Sequence, residues 1–326
     1  MRRRDLIKAI AGVAAWPFAV HAQDKGRAPL IGWLDGQDES DALSRSVRTA
    51  LRDGLAEHGW IEGRNLRIEW RFGAGDANRM AVLAKELASL SPNVIVAGGA
   101  SPAKAAQQAT QTIPIVFTGG GDAAVIGLVK NIGRPEGNIT GFSNSEPLIG
   151  GKWLELLKQA APNITRAAVV FNPDLGPTAP KYIAAAEAAA QRHSLQLVQL
   201  PFHNAVELVR SVDAFAATPN GGLMILPPTP LRPTILQLAA QHRLPAIFSV
   251  KALVVDGGLL SYSTDFIEQH RRAASYVDRL LRGVKIADLP VQWPTKYQLV
   301  VNVKTAKAIG LTIPEAFLLQ ADELIE

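Results

Sequence analysis

Short apolar runs alternate with longer amphipathic stretches along nearly the whole chain. Residues 29–34 and 113–117 are apolar throughout and 93–97 apolar after Asn93, as strands buried on both faces are, and 138–142 reads as a further strand. Residues 66–70 alternate apolar and polar, the period of a half-buried strand. Between these runs the period changes. Leu43, Val47, Leu51 and Leu55 recur every fourth residue, which predicts a helix over 40–59 that stops at Gly59. A second helix is predicted over 76–90, capped by Asp76 or Asn78. A third spans 101–111, with Pro102 in its first turn, and a short fourth spans 122–131.

The alternation then restarts. Helices are predicted over 149–161, 180–193, 204–217, 231–242 and 267–282, and strands over 167–171, 195–200, 222–226, 245–248 and 258–262. Short apolar strands alternating with helices predict parallel sheets covered on both faces. Two such series predict an α/β fold of two Rossmann-like lobes with parallel sheets. Strand-like crossovers near Phe142, Tyr262 and Pro290 would join the lobes and serve as a hinge. The expected lobes are 28–142 plus 263–290 and 143–262 plus 291–326. A length of 326 residues agrees with two domains at roughly 100–200 residues each.

The N-terminus reads as an address. Arg2, Arg3 and Arg4 precede a mostly apolar stretch, 7–20, and Val20-His21-Ala22 supplies small residues before a cut at Gln23. Arg3-Arg4-Asp5-Leu6-Ile7-Lys8 also resembles the twin-arginine export motif. Without residues 1–22 the chain carries 30 bases and 28 acids, a net charge of +2, which is no footprint for nucleic acid. With no cysteine, disulfides, thiolate metal sites, thiol catalysis and a lipid-anchored N-terminal Cys are all excluded. A periplasmic monomer that needs no cofactor is the expectation.

In open parallel sheets ligands sit beyond the carboxyl ends of the strands. Those loops are 35–40, 98–102 and 118–122 in the first series, and 172–174, 227–229 and 249–251 in the second. Ser101, at a helix start, and Thr118, beside the triple glycine, are candidates to hold a carboxylate. Asp38 and Asp122 are candidates to pair with an ammonium, and Phe248 and Tyr262 to supply aromatic walls. The same residue types also cap helices and fill cores, so capping alone explains several of them.

Catalytic signatures are weak. Gly119-Gly-Gly-Asp-Ala-Ala124 fits a dinucleotide fingerprint formally, but it follows about the fourth strand and lacks an acidic ribose partner. There is no phosphate-binding G-x-x-x-x-G-K-[ST] loop, no G-x-S-x-G elbow and no metal-spaced histidine pair. His58, His193 and His242 sit where helix C-termini favour a base.

Several stretches together resemble one family. They are Thr112-Ile-Pro-Ile-Val-Phe117, Arg134-Pro-Glu-Gly-Asn-Ile-Thr-Gly141, Gly257-Gly-Leu-Leu-Ser-Tyr262, Pro294-Thr-Lys-Tyr297 and Lys304-Thr-Ala-Lys-Ala-Ile-Gly-Leu-Thr-Ile-Pro314. The chain resembles ABC-transporter substrate-binding proteins related to tryptophan- and aromatic-amino-acid-binding members, of the type I periplasmic-binding-protein fold. The resemblance implies two lobes joined by three crossovers that close on a small molecule, with an inner-membrane ABC permease as partner and no enzymatic activity. By motif position it places Ser101, Thr118, Asp122, Asn172, Ser249 and Tyr262 toward the cleft. Asp122-Ala-Ala124 and Ser263 depart from the family pattern beside that cleft. A sensor feeding a membrane receptor, or a nucleotide-using enzyme on the same architecture, are the alternatives. Intact-mass analysis of the exported protein is expected to give a chain that begins at Gln23; a chain retaining Arg2–Arg4 would contradict the export reading.

Overall fold

The computed structural model describes residues 28–326, apart from 145, 147, 176, 177, 228 and 230. The expected export segment, 1–22, lies outside the described residues. The first series runs β1 (Leu30–Asp35), α1 (Ala42–Glu57), β2 (Arg67–Phe72), α2 (Ala77–Ser89), β3 (Val94–Gly98), α3 (Ala100–Ala109), β4 (Ile115–Thr118) and β5 (Ile139–Phe142). The second begins with α4 (Ile149–Ala160), β6 (Arg166–Phe171), α5 (Ala179–Arg192), β7 (Gln196–Pro201), α6 (Ala205–Ala216), β8 (Gly221–Ile225), α7 (Arg232–Gln241) and β9 (Ala246–Phe248). It ends with α8 (Lys251–Val255), β10 (Leu260–Thr264), α9 (Phe266–Leu281), β11 (Tyr297–Asn302), α10 (Val303–Ala308), α11 (Glu315–Leu318) and β12 (Glu323–Ile325).

Local chemistry explains most boundaries. The carboxylate of Asp41 accepts from the amides of Leu43 and Ser44 and starts α1, and Asp76 does the same for α2. His58, His193 and His242 occupy the C-cap positions of α1, α5 and α7. The helix expected over 122–131 does not form. The Asp122 carboxylate takes the amides of Ala124 and Val125, and Gly127 adopts a left-handed φ of 74°. The carboxylate caps a helix-like turn, with Ile126 N–H on the Asp122 carbonyl, but left-handed Gly127 stops it at once and Leu128 N–H closes back on the Ala123 carbonyl at 2.9 Å.

The first sheet has the order β2-β1-β3-β4-β5, all parallel. The second has the order β12-β11-β10-β9-β8-β6-β7. It is parallel except where β11 runs antiparallel to β10. That exception has a cause in the chain path. After β10 the chain leaves for the first lobe and forms α9, whose Ala273, Ala274, Tyr276 and Val277 enter one core with Ile31, Trp33 and Leu51. It then re-enters the second sheet from the opposite end.

The three passages between lobes lie side by side. Ser143 N–H donates to the Gln292 carbonyl and Gln292 N–H to the Gly141 carbonyl, each at 2.9 Å. The Gln269 amide donates to the Ser143 carbonyl at 2.8 Å, and Tyr276 Oη to the Pro290 carbonyl at 2.7 Å. Helices α1 and α9 meet closely at Gly54, where an added Cβ would stand 2.9 Å from Ala274 Cβ and press on the Arg271 carbonyl. Helix propensity alone makes Gly→Ala stabilising by about 1 kcal/mol in a helix interior. Overpacking costs about 1–3 kcal/mol and dominates at this contact. Gly54→Ala is therefore expected to lower the urea midpoint, and a raised midpoint would show that the two helices can part.

Candidate functional site

Beyond the carboxyl ends of both sheets lies a cavity of about 390 Å³. That is within the range of about 300–1,000 Å³ usual for small-molecule sites. In the first sheet the strand order reverses between β1 and β3, the switch point at which ligands of wound sheets bind. The last residues of those strands, Asp35 and Gly98, are paired in register and both line the cavity. The Asp35 carboxylate lies beside Gly98, 3.6 Å from where a Cβ would stand, an ordinary contact distance.

Asp35 is 4% exposed. Its Oδ2 accepts from the Ser44 hydroxyl at 2.9 Å and its Oδ1 from the Gln37 amide at 3.0 Å. Behind it, Thr118 Oγ1 lies 2.8 Å from His270 Nε2. His270 is buried against Trp33, ring centroids 5.6 Å apart, and its Nδ1–H donates to the Phe266 carbonyl at 2.7 Å. Burial pushes the imidazole pKa below the usual histidine value, outweighing that hydrogen bond and the nearby Asp35 charge.

Two backbone features border this corner. Helix α3 starts after Gly99, at φ 105°, and no side chain caps it. Gly119, Gly120 and Gly121 all have positive φ, and a Cβ at Gly120 would stand 2.7 Å from the Ala100 amide nitrogen. The triple glycine therefore serves close packing of a loop on a helix start.

The opposite wall is aromatic and comes mainly from the second lobe. Tyr262 and Tyr297 stack with centroids 5.1 Å apart at 15°, and Trp153 tilts against Tyr182 at 5.4 Å. The Trp153 Nε1–H donates to the Tyr262 carbonyl at 2.7 Å. Burial raises the pKa of both the Tyr262 and Tyr297 hydroxyls, so they remain neutral donors. Ile149 and Phe266 add to the apolar lining, as do Leu43, Val47 and Ile126 from the first lobe. The Ser249 hydroxyl, on the same wall, is buried with no hydrogen-bond partner. The first-lobe Gly121 and the second-lobe Thr178 approach across the cleft, so the lobes meet over the cavity. Among the described lining residues, Asp35 carries the only formally charged side chain.

Of the residues singled out in the sequence, Thr118, Ser249 and Tyr262 line this cavity. Asp38, Ser101, Asp122, Asn172 and Phe248 are not among the lining residues. Asp38 is exposed and accepts from the amide and hydroxyl of Ser40. Ser101 is exposed on α3, while its neighbour Ala100 lines the cavity. Asp122 is spent on its own turn, and Asn172 accepts from the Asp174 amide. Phe248 is fully buried among Ile225, Leu253 and Val300. Sequence reasoning passed over Asp35, Ser44, Trp153, Tyr182, His270 and Tyr297. For Asp35 a signal existed, since it is the strand-terminal residue of its loop; the aromatic residues look like ordinary core from sequence.

Comparison with known proteins gives the family and the fold. The family model described as ABC transporter substrate binding protein matches residues 39–325. A tyrosine-binding protein of Clostridioides difficile is 24% identical over 279 residues, 84% of this chain and 79% of that protein. A conserved domain protein from Vibrio cholerae superposes with a TM-score of 0.81 at 26% identity, covering 91% of this chain and all of that one. The ABC domain from Streptococcus pneumonia in complex with L-Trp also gives 0.81, at 24% identity, over 92% of this chain and all of that one. The fold is therefore that of type I periplasmic-binding proteins.

The Trp153–Tyr262 hydrogen bond joins α4 to the strand that carries the aromatic wall. Trp153→Phe keeps a ring but removes the donor to a part-buried carbonyl, at a cost of about 0.5–1.5 kcal/mol. A lower unfolding midpoint in denaturant is expected; an unchanged one would mean that the bond contributes nothing net.

Proposed function

The chain belongs to the ABC transporter substrate-binding protein family, and we propose that it captures an amino acid with an aromatic side chain between its lobes and delivers it to an inner-membrane ABC permease. The family consists of binding proteins, not enzymes. What carries the amino-acid reading is the division of the cavity. A single carboxylate, Asp35, and an uncapped helix start stand side by side at the tips of β1 and β3, facing a wall of Trp153, Tyr182, Tyr262 and Tyr297. Neighbouring strands lie about 4.8 Å apart. That spacing suits a zwitterion, with its ammonium near Asp35 and its carboxylate near the amides at the start of α3. The apolar remainder of such a ligand fits the aromatic wall. The relatives named as binding tyrosine and holding L-Trp support the same ligand class.

The reading extends to mechanism and place. The lobes divide at the three adjacent crossovers, 28–142 with 263–290 against 143–262 with 291–326. A ligand that touches both lobes stabilises their closed arrangement, which the permease then recognises. The export signature at residues 1–22 supports capture in the periplasm. No helix among the described residues is long and apolar enough to cross a membrane.

Calorimetric titration with each proteinogenic amino acid tests the proposal. Binding of one or more of tyrosine, tryptophan and phenylalanine is expected, with a smaller radius of gyration in solution scattering. Asp35→Asn should weaken it at least about thirtyfold, the loss typical when one partner of a buried charge pair is removed. Heat with none of the amino acids would remove this ligand class.

A further inference from the structure

We infer that Asp35, Ser44 and Thr118 form a corner that offers the ligand hydrogen-bond acceptors only, and that His270 is the positioning residue that fixes the polarity of Thr118. The inference rests on the amino-acid reading and deepens it by assigning the ammonium end.

The chain of hydrogen bonds leaves one assignment. The Phe266 carbonyl can only accept, so the hydrogen between it and His270 belongs to Nδ1. The ring is 4% exposed, and burial favours its neutral form. A neutral imidazole carries one hydrogen, so Nε2 is bare and acts as an acceptor. The Thr118 hydroxyl, 2.8 Å away, must then donate to it. A hydroxyl has a single hydrogen, so Thr118 Oγ1 has only lone pairs left for the cavity. The same holds two strands away, at the tip of β1. Ser44 gives its hydrogen to Asp35 Oδ2 at 2.9 Å, and the carboxylate itself accepts. A carboxylate placed against these three oxygens would meet no donor. An ammonium, with three donors, would meet a matched set.

His270 stands behind this corner without lining the aromatic wall. From β1 it faces Asp35, the ionisable group that acts on it, and the Trp33 ring; from β4 it faces Thr118; from its own helix it faces the Phe266 carbonyl. Protonation would place a hydrogen on Nε2 and turn the Thr118 hydroxyl round, so that its hydrogen points into the cavity. A second cation would also stand behind the corner. Both changes oppose an ammonium. Affinity is thus full above the ordinary histidine pKa of 6.5 and declines as pH falls through the lowered value of His270.

Three measurements test this. Long-range ¹⁵N–¹H correlation of the ligand-free protein at pH 7 should show His270 neutral with the hydrogen on Nδ1; a hydrogen on Nε2, or a charged ring, overturns the inference. Titration should show that 3-arylpropionates, which lack only the amino group, bind at least about a hundredfold more weakly than tyrosine, tryptophan or phenylalanine, since a site built around a donor rejects the analogue without it. The arylethylamines, which keep that group, should lose less. Equal binding of propionate and amino acid overturns the inference while leaving amino-acid capture intact. Binding of no amino acid at all removes the underlying reading instead. His270→Leu should narrow the amino-acid-to-propionate ratio about tenfold and flatten the pH profile below 6.5. A merely structural role would weaken both ligands alike and leave the ratio unchanged, which also overturns the inference. Should that variant not fold, the tautomer and the wild-type pH profile decide.

Discussion

Three crossovers held side by side set where everything else can go. The mutual hydrogen bonds of Gly141, Ser143 and Gln292, with Gln269 reaching across to the Ser143 carbonyl, tie the passages into one narrow ribbon. Two sheets hung from such a ribbon turn their carboxyl edges toward each other. Those edges are where parallel strands end, where helix starts bring unpaired amides, and where polar side chains can be buried at all. A cavity between two such edges is apolar where α4 and α5 contribute and polar where β1, β3 and β4 end. Its chemistry follows from topology before any particular ligand is considered.

The architecture was legible because its signals are local. Fully apolar strands such as 94–98 and the four-residue spacing from Leu43 to Leu55 act within one element, and the predicted elements recur within a few residues of their observed ends. The segment 122–131 departs from the predicted helix because Gly127, in the left-handed region, ends it after one capped turn. The last strands, β11 and β12, were not foreseen as partners of the second sheet. Their pairing depends on α9 having first left for the other lobe.

The site was less legible for the same reason. Thr118, Ser249 and Tyr262 could be picked from strand tips, whereas Asp38 and Asp122 carry the right chemistry but spend it on turns. Choosing Asp35 over Asp38 requires knowing that the strand ends between them. Trp153, Tyr182 and Tyr297 come from two helices and an antiparallel strand spread over almost half the chain. Their convergence into one wall belongs to tertiary structure, and each alone resembles core.

Such a division of labour has a consequence for selectivity. The first lobe's groups are strand tips and a helix start, backed by a fixed hydrogen-bond chain through His270, so they admit little adjustment. The second lobe's wall is ring surface with a neutral hydroxyl at Tyr262 and at Tyr297 and an unpartnered one at Ser249. Flat rings tolerate related shapes, whereas a buried acceptor set without its donor carries a desolvation cost of about 1–3 kcal/mol for each neutral group. On the proposed reading, the first lobe demands one kind of ligand headgroup and the second tolerates a class of side chains. Substitutions on the aromatic wall then redistribute preference among ligands of one class, and substitutions behind the acceptor corner change which class is admitted.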